Sequence, residues 1–202
     1  MEIILASNSA RRKDLFNMLN IPFRSMDSGL DERMEEKKLS GLSHCEKVKE
    51  ISRLKALKAN EQLKGDRLVI TADTVVIFND IVMNKPDDRK MAVENLKMLS
   101  GKAHKVYTAY TILKDNGCGE QSIKTKICGS DVYFRNLTED EINSYVDTKD
   151  PFDKAGGYGM QGKGALLVDK IDGDFYNIIG LPISSLYEDL KLIGINIMGF
   201  WR

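Results

Sequence analysis

Two long stretches of alternating character, HKVYTAYTILKD (104–115) and SIKTKICGSDVYFR (122–135), follow one another across a turn at Asn116–Gly117. Alternation over that length describes strands, and Asn-Gly is a favoured hairpin turn, so the middle of the chain is committed to sheet. A second hairpin precedes it, VVIFNDIVM turning at Asn79–Asp80. The earlier part alternates strand and helix. Residues 2–6 read as a buried strand, 11–19 as a helix with Leu15, Phe16, Met18 and Leu19 on one face. Residues 43–63 read as a long helix striped by Val48, Ile51, Leu54, Leu57 and Leu63, with Gly65 as its stop. RLVITAD then reads as a buried strand ending at Asp73. Further helices are expected at 91–99, from the capping box Thr138/Glu141 to about Val146, and at the end through Leu192. DPFDKAGGYGMQGKGA, rich in glycine and polar residues, reads as an irregular loop with a purpose. Together these imply a mixed α/β protein whose strand-rich centre lies between helical lobes.

Composition narrows the function. Lys plus Arg and Asp plus Glu number 30 each, so the formal net charge is zero and no global basic field points to nucleic acid. Any anion site must be a local concentration of charge. The opening MEIILASNS is too short in apolar residues for a signal peptide, and no stretch approaches the length of a membrane span. A cytoplasmic protein without membrane partners is expected. Cys45, Cys118 and Cys128 form no CxxC pair, and His44 and His104 are the only histidines. A metal, if used, must be held by carboxylates, which favours magnesium or manganese.

Four local features carry potential chemistry. In LASNSARRKDLF, Ser7-Asn8-Ser9 leads into a helix whose first turn holds Arg11 and Arg12, where the macrodipole disfavours cations. Free backbone N–H groups and two guanidinium forks at that point suit a phosphate, although paired arginines alone are more often a solvated face. Asp73, after a run of β-branched residues, suits a general base or metal ligand; by itself it reads more readily as an Asp beginning a turn. Lys55 lies on the long helix, where lysines are usually solvated, and Lys85 sits in MNKPDD, where Pro86 stiffens the loop. Lys154 and Gln161 lie among glycines that would let backbone approach a ligand closely.

The order of these pieces resembles the Maf family of nucleoside triphosphate pyrophosphatases over nearly the whole chain. The family opens with a strand and A-S-x-S-P-R-R, here Ala6-Ser7-Asn8-Ser9-Ala10-Arg11-Arg12, with Ala10 replacing the proline. LDE at Leu30–Glu32, SRLKALKA around Lys55, ADTVV at Asp73, NKP at Lys85, LSGKAH at Leu99–His104, DKAGGYGMQG and GLP at Gly180 also match. The resemblance implies a single domain over 1–202 with two lobes: an α/β fold, an elongated mixed sheet with helices around a central cleft as in inosine triphosphate pyrophosphatases, often homodimeric. It implies cleavage of dTTP and UTP, extending to modified pyrimidine nucleotides, between the α and β phosphates with a divalent metal, magnesium or manganese. Asp73 would be the base, Ser7, Arg11, Arg12, Lys55 and Lys85 the phosphate ligands, and Glu32 with Asp73 the metal contacts.

One branch of the family acts on thymidine and uridine triphosphates and another on 7-methylguanosine triphosphate. Thr74 and Gln161 are similar to the first branch; the second carries glutamine and glutamate there. A uracil or thymine edge shows one N–H between carbonyls, which an amide complements, whereas the adjacent donors of guanine suit a carboxylate. Arg11, Thr74 and Gln161 are therefore the expected specificity residues. Two alternatives remain beside this reading: the same chemistry on a modified purine triphosphate, or a nucleotide-sensing regulator of cell division, since the family is associated with septum formation.

Overall fold

A computed structural model describes residues 1–201. Its strands are β1 (Glu2–Ala6), β2 (Arg24–Met26), β3 (Arg67–Phe78), β4 (Ile81–Val82), β5 (Ala103–Asp115), β6 (Gln121–Phe134) and β7 (Val168–Asp172). They pair in the order β2-β1-β3-β5-β6-β7, with β4 on β3, so the fold is mixed α/β. β1 runs parallel to both β2 and β3, which requires crossovers, and helices supply them: α1 (Ala10–Met18), α2 (Glu32–Lys38) and α3 (His44–Asn60). The later pairings β3–β4 and β6–β7 are antiparallel. Helices α4 (Arg89–Leu99), α5 (Glu139–Asp147), α6 (Phe175–Ile179) and α7 (Ile183–Leu192) complete the set, and a chain of 3-10 turns covers most of 150–167.

The chain divides into two compact units. Unit 1 holds Met1–Asp73, Thr108–Ile127 and the segment from Gly180 onward; unit 2 holds Thr74–Tyr107 and Cys128–Ile179. In unit 1, Ile4, Ala6, Val69 and Leu113 from the strands meet Ala56 and Ala59 of α3. α3 starts at Ser43, where a capping box with Glu46 satisfies two helix-end amides. Its buried face runs Val48, Ile51, Ser52, Lys55, Ala56 and Ala59, not along the leucines; Leu54 and Leu57 are only half-buried. Small residues win this face because they let the helix lie close on the sheet, and the hydroxyl of Ser52 is met there by Thr111 at 3.0 Å. The same correction applies to α1, where Leu15 and Phe16 are buried but Met18 is half exposed. α7 is pinned by buried Asp189, which accepts from Tyr110 at 2.6 Å and from Lys124 at 2.8 Å.

In unit 2, Leu96 and Leu99 of α4 and Ile142, Tyr145 and Val146 of α5 pack with Phe78, Val106, Val132 and Phe134. Each such aliphatic side chain contributes about 1.5–3 kcal/mol when fully buried. The capping box of Thr138 with Glu141 starts α5 as its spacing predicts. The glycine-rich segment is no loose loop: Gly156, Gly157 and Tyr158 are buried, and Gly156 N donates to Met83 O at 2.8 Å.

The largest departure from the sequence reading concerns β3. It does not stop at Asp73 but continues unbroken to Phe78. Thr74, Val75, Val76 and Ile77 after it are β-branched and hold the extended conformation, and the hairpin at Asn79–Asp80 ends the strand instead, both residues adopting positive φ. Asp73 is therefore a carboxylate inside a strand, with extended chain on either side.

Candidate active site

The buried run of β1 stops at Ser7, itself 7% exposed, and two residues turn the chain into α1. Ser9 takes the N-cap position with extended backbone, yet its side chain caps nothing. Ser7 Oγ instead accepts from the Ser9 amide at 3.3 Å and from Arg12 Nη1 at 3.2 Å. Arg12 Nε donates to the carbonyl of Gly180 at 2.8 Å. Two bonds in different directions thus aim the guanidinium. Burial draws Arg12 below its ordinary value, Asp73 opposes this, Arg11 adds to it, and Glu32 opposes it again. An arginine stays charged under such pressure, so an anion arriving beside it gains more than at a solvated arginine. Asn8 steadies the same turn by donating to Asp27, whose other oxygen accepts from Gly29 N at 2.6 Å.

Lys55 is the centre of the charge cluster. It lies on the buried face of α3, 7% exposed, and its Nζ is 2.8 Å from Asp73 Oδ1 and 2.8 Å from Glu32 Oε2. The ammonium therefore bridges a strand carboxylate and the first residue of α2. Asp31 caps that helix through Met34 N at 3.0 Å, which fixes where Glu32 begins. One turn on, Glu36 is raised above the ordinary carboxylate range by burial, then by Asp73 and Glu32, against Lys55 and Lys47. Glu36 was not among the residues expected from sequence. The signal was its spacing of four from Glu32, which puts both on one helix face.

Unit 1 thus brings together Ser7, Arg11, Arg12, Glu32, Lys55 and Asp73. Thr74, Lys85 and Gln161 belong to unit 2. Thr74 is half-buried, while Lys85 and Gln161 are exposed. The loop carrying Lys85 and the glycine-rich segment are adjacent: a Cβ on Gly157 would lie 3.6 Å from Pro86 Cγ. Lys154 is committed within its own segment, donating to Asp150 O at 2.7 Å, Asp150 Oδ1 at 2.9 Å and Asp153 Oδ1 at 2.6 Å. No group of three acidic, histidine or cysteine side chains with metal-binding geometry occurs among the described residues, and none of the described helices is long and apolar enough to cross a membrane.

The chain is thus a mixed α/β protein whose first unit sets semi-buried cations beside paired carboxylates. It belongs to the Maf-like protein family, whose model matches residues 2–193. The dTTP/UTP pyrophosphatase of Bacillus velezensis is 44% identical over 190 residues, covering 94% of this chain and 95% of the relative. That of Alkaliphilus oremlandii is 42% identical over 185 residues, 92% of each chain. A solved nucleoside-triphosphatase / dITP/XTP pyrophosphatase from Mycobacterium abscessus covers 95% of this chain and 94% of its own at 9% identity; with a TM-score of 0.40, that likeness carries no weight.

Proposed function

We propose that this protein hydrolyses dTTP and UTP to the monophosphate and pyrophosphate. The observation that carries the reading is the Lys55 bridge between Asp73 and Glu32, with Arg12 electrostatically coupled to both carboxylates. Family membership and the names of relatives about 40% identical support the choice of substrate.

Asp73 Oδ1 is taken by Lys55, which leaves Oδ2 to accept a proton from the attacking water. The water oxygen bonds to the α phosphorus, the bridging oxygen leaves with the β phosphorus as pyrophosphate, and the proton stays on Asp73. Ser7, Arg11, Arg12, Lys55 and Lys85 hold the phosphates and offset charge that builds on the leaving group. Rigid placement within β3 keeps the Asp73 carboxylate in one orientation, which is the entropic share of the catalysis. Arg11, Thr74 and Gln161 select the base.

The donor set fits a magnesium or manganese ion. Glu32 gives Lys55 one oxygen and keeps another as a hard donor, with Asp73 as the neighbouring carboxylate, and such ions take one or two carboxylates and complete their shell with water and substrate phosphate. When bound there, the ion would neutralise phosphate charge.

Chromatography of the products from dTTP, UTP, GTP and 7-methylguanosine triphosphate tests the proposal. We expect dTMP and UMP with pyrophosphate, and preference for the pyrimidines. Release of dTDP and orthophosphate, or preference for 7-methylguanosine triphosphate, would overturn it.

A further inference from the structure

Two motif residues, His104 and Tyr158, take no part in the proposed phosphate chemistry, yet both are buried in unit 2 at 3% and 5% exposure. Tyr158 Oη lies 2.6 Å from His104 Nε2, and the rings of His104, Phe134 and Tyr158 pack edge to face with centroids 4.7–5.3 Å apart. His104 Nδ1 is buried without a hydrogen-bond partner among the described residues. The imidazole therefore has Tyr158 as its polar contact. A phenylalanine or leucine would fill this core without leaving a polar atom unpaired, so burying a histidine here costs stability and fixes the tyrosine hydroxyl at one point.

The next residue is pinned as well. Gly159 N donates to Tyr145 Oη at 3.2 Å, and the same hydroxyl donates to Asp150 Oδ2 at 2.7 Å. Burial, with the charge of Asp150, pushes the Tyr145 hydroxyl up, so it stays a neutral donor. Burial also works against an ionised Asp150, but hydrogen bonds from Lys154 and Tyr145 outweigh it and hold the carboxyl below its ordinary value. Nor is there slack around this point. A Cβ on Gly159 would lie 2.7 Å from Lys154 Cε, and one on Gly164 would lie 2.1 Å from Gly159 O and 2.8 Å from Tyr145 Oη. Consecutive residues are thus held, Tyr158 through its side chain by a histidine of β5 and Gly159 through its backbone amide by a tyrosine of α5, just before Gln161 emerges into solvent.

We propose that Tyr145 and Tyr158 are positioning residues for base selection: their hydroxyls lock residues 158–159 and so set where the Gln161 amide stands. This rests on the reading that Gln161 contacts the base. A residue two positions from a pair anchored once through a buried side chain and once through a backbone amide has its main-chain direction narrowed, and a side-chain amide can then complement one base edge at little further cost in entropy. Without the anchors Gln161 would still be present, but its amide would sample positions in which the base edge goes unmet.

The test uses Tyr145→Phe and Tyr158→Phe, each alone and combined with Gln161→Ala, with kcat and KM measured for dTTP, UTP and GTP and with pyrophosphate as a base-free inhibitor. Each single tyrosine variant is expected to raise KM for dTTP and UTP about 3- to 10-fold, the effect of losing one hydrogen bond, with kcat nearly unchanged. Pyrophosphate inhibition should not change. Combined with Gln161→Ala, neither tyrosine change should add a further loss, because both act through the same amide. Losses that add to that of Gln161→Ala, or fall equally on all three bases, would overturn the proposal and leave the tyrosines as fold-holding residues. If Gln161→Ala itself leaves base preference intact, the base-reading role falls, and the positioning role with it. If Gln161→Ala abolishes preference while both tyrosine variants keep it, only the positioning role falls.

Discussion

Replacing Asp73 with asparagine separates chemistry from architecture. The side chains of Asp73 and Lys55 are 19% and 9% exposed, so the pair is mostly buried. Removing one partner of such a pair outright costs about 3–5 kcal/mol, because the other charge is left uncompensated. Asparagine is gentler. Its Oδ1 can still accept from Lys55 Nζ, and Glu32 remains 2.8 Å away as the counter-charge. The stability loss should therefore be about 1–2 kcal/mol, or about 2–8 °C in Tm for a chain of this size. Turnover should suffer far more, because an amide cannot take the proton from water; we expect kcat to fall about 100-fold or more, equivalent to at least about 2.7 kcal/mol of barrier. The assay is pyrophosphate release from dTTP, with nucleotide binding followed by calorimetry and folding by thermal scanning. Substrate binding should stay close to wild type. A variant that binds dTTP, melts within that window and turns over nearly normally would falsify Asp73 as the base.

Gln161→Glu should lower kcat/KM for dTTP and UTP by about 5-fold to more than 100-fold, the cost of losing a donor against a carbonyl. GTP should be affected differently, and a uniform fall across bases would count against base contact. Arg12→Lys should raise KM for all triphosphates alike, because an ammonium cannot serve Gly180 O, Ser7 Oγ and a phosphate in the planar geometry that Arg12 uses; kinetics on two bases check this. Burial holds His104 down to about 4, against the opposing charge of Asp131. Because the unfolded chain binds that proton nearer 6.5, stability should be complete above about 6.5 and fall by about 3 kcal/mol as pH drops to about 4. Denaturant melts of wild type and His104→Asn across that range should show the slope reduced in the variant.

What was legible in the sequence was local. The capping box of Thr138 and Glu141, the hairpin at Asn79–Asp80 and the strands β5 and β6 each depend on residues a few positions apart, and each formed where its spacing implies, although β5 is buried on both faces from Thr108 to Leu113 instead of alternating. Asp73 was misplaced at a strand end because an acidic residue in a β-branched run looks like a boundary, whereas the β-branched residues after it keep the chain extended to Phe78. The stripe of α3 was misread for a related reason: periodicity finds the bulkiest apolar residues, but close packing on a sheet favours Ala56, Ala59 and Ser52. Lys55 could be named as a candidate, yet its burial between carboxylates 18 and 23 positions away has no local signature. The anchoring of Arg12 by the Gly180 carbonyl is further still from anything a sequence window can hold, since backbone acceptors carry no side-chain mark.

That last bond also sets a clock on the birth of the protein. Arg12 and Gly180 are separated by 168 residues. At about 5–20 residues per second, the ribosome adds the second partner roughly 10–30 s after the first. During that interval the arginine lacks the carbonyl that aims it, and unit 1 waits while the chain leaves it for Thr74–Tyr107 and again for Cys128–Ile179. A nascent chain halted before Gly180 therefore carries the ASNSARR turn without the carbonyl that accepts from Arg12 Nε.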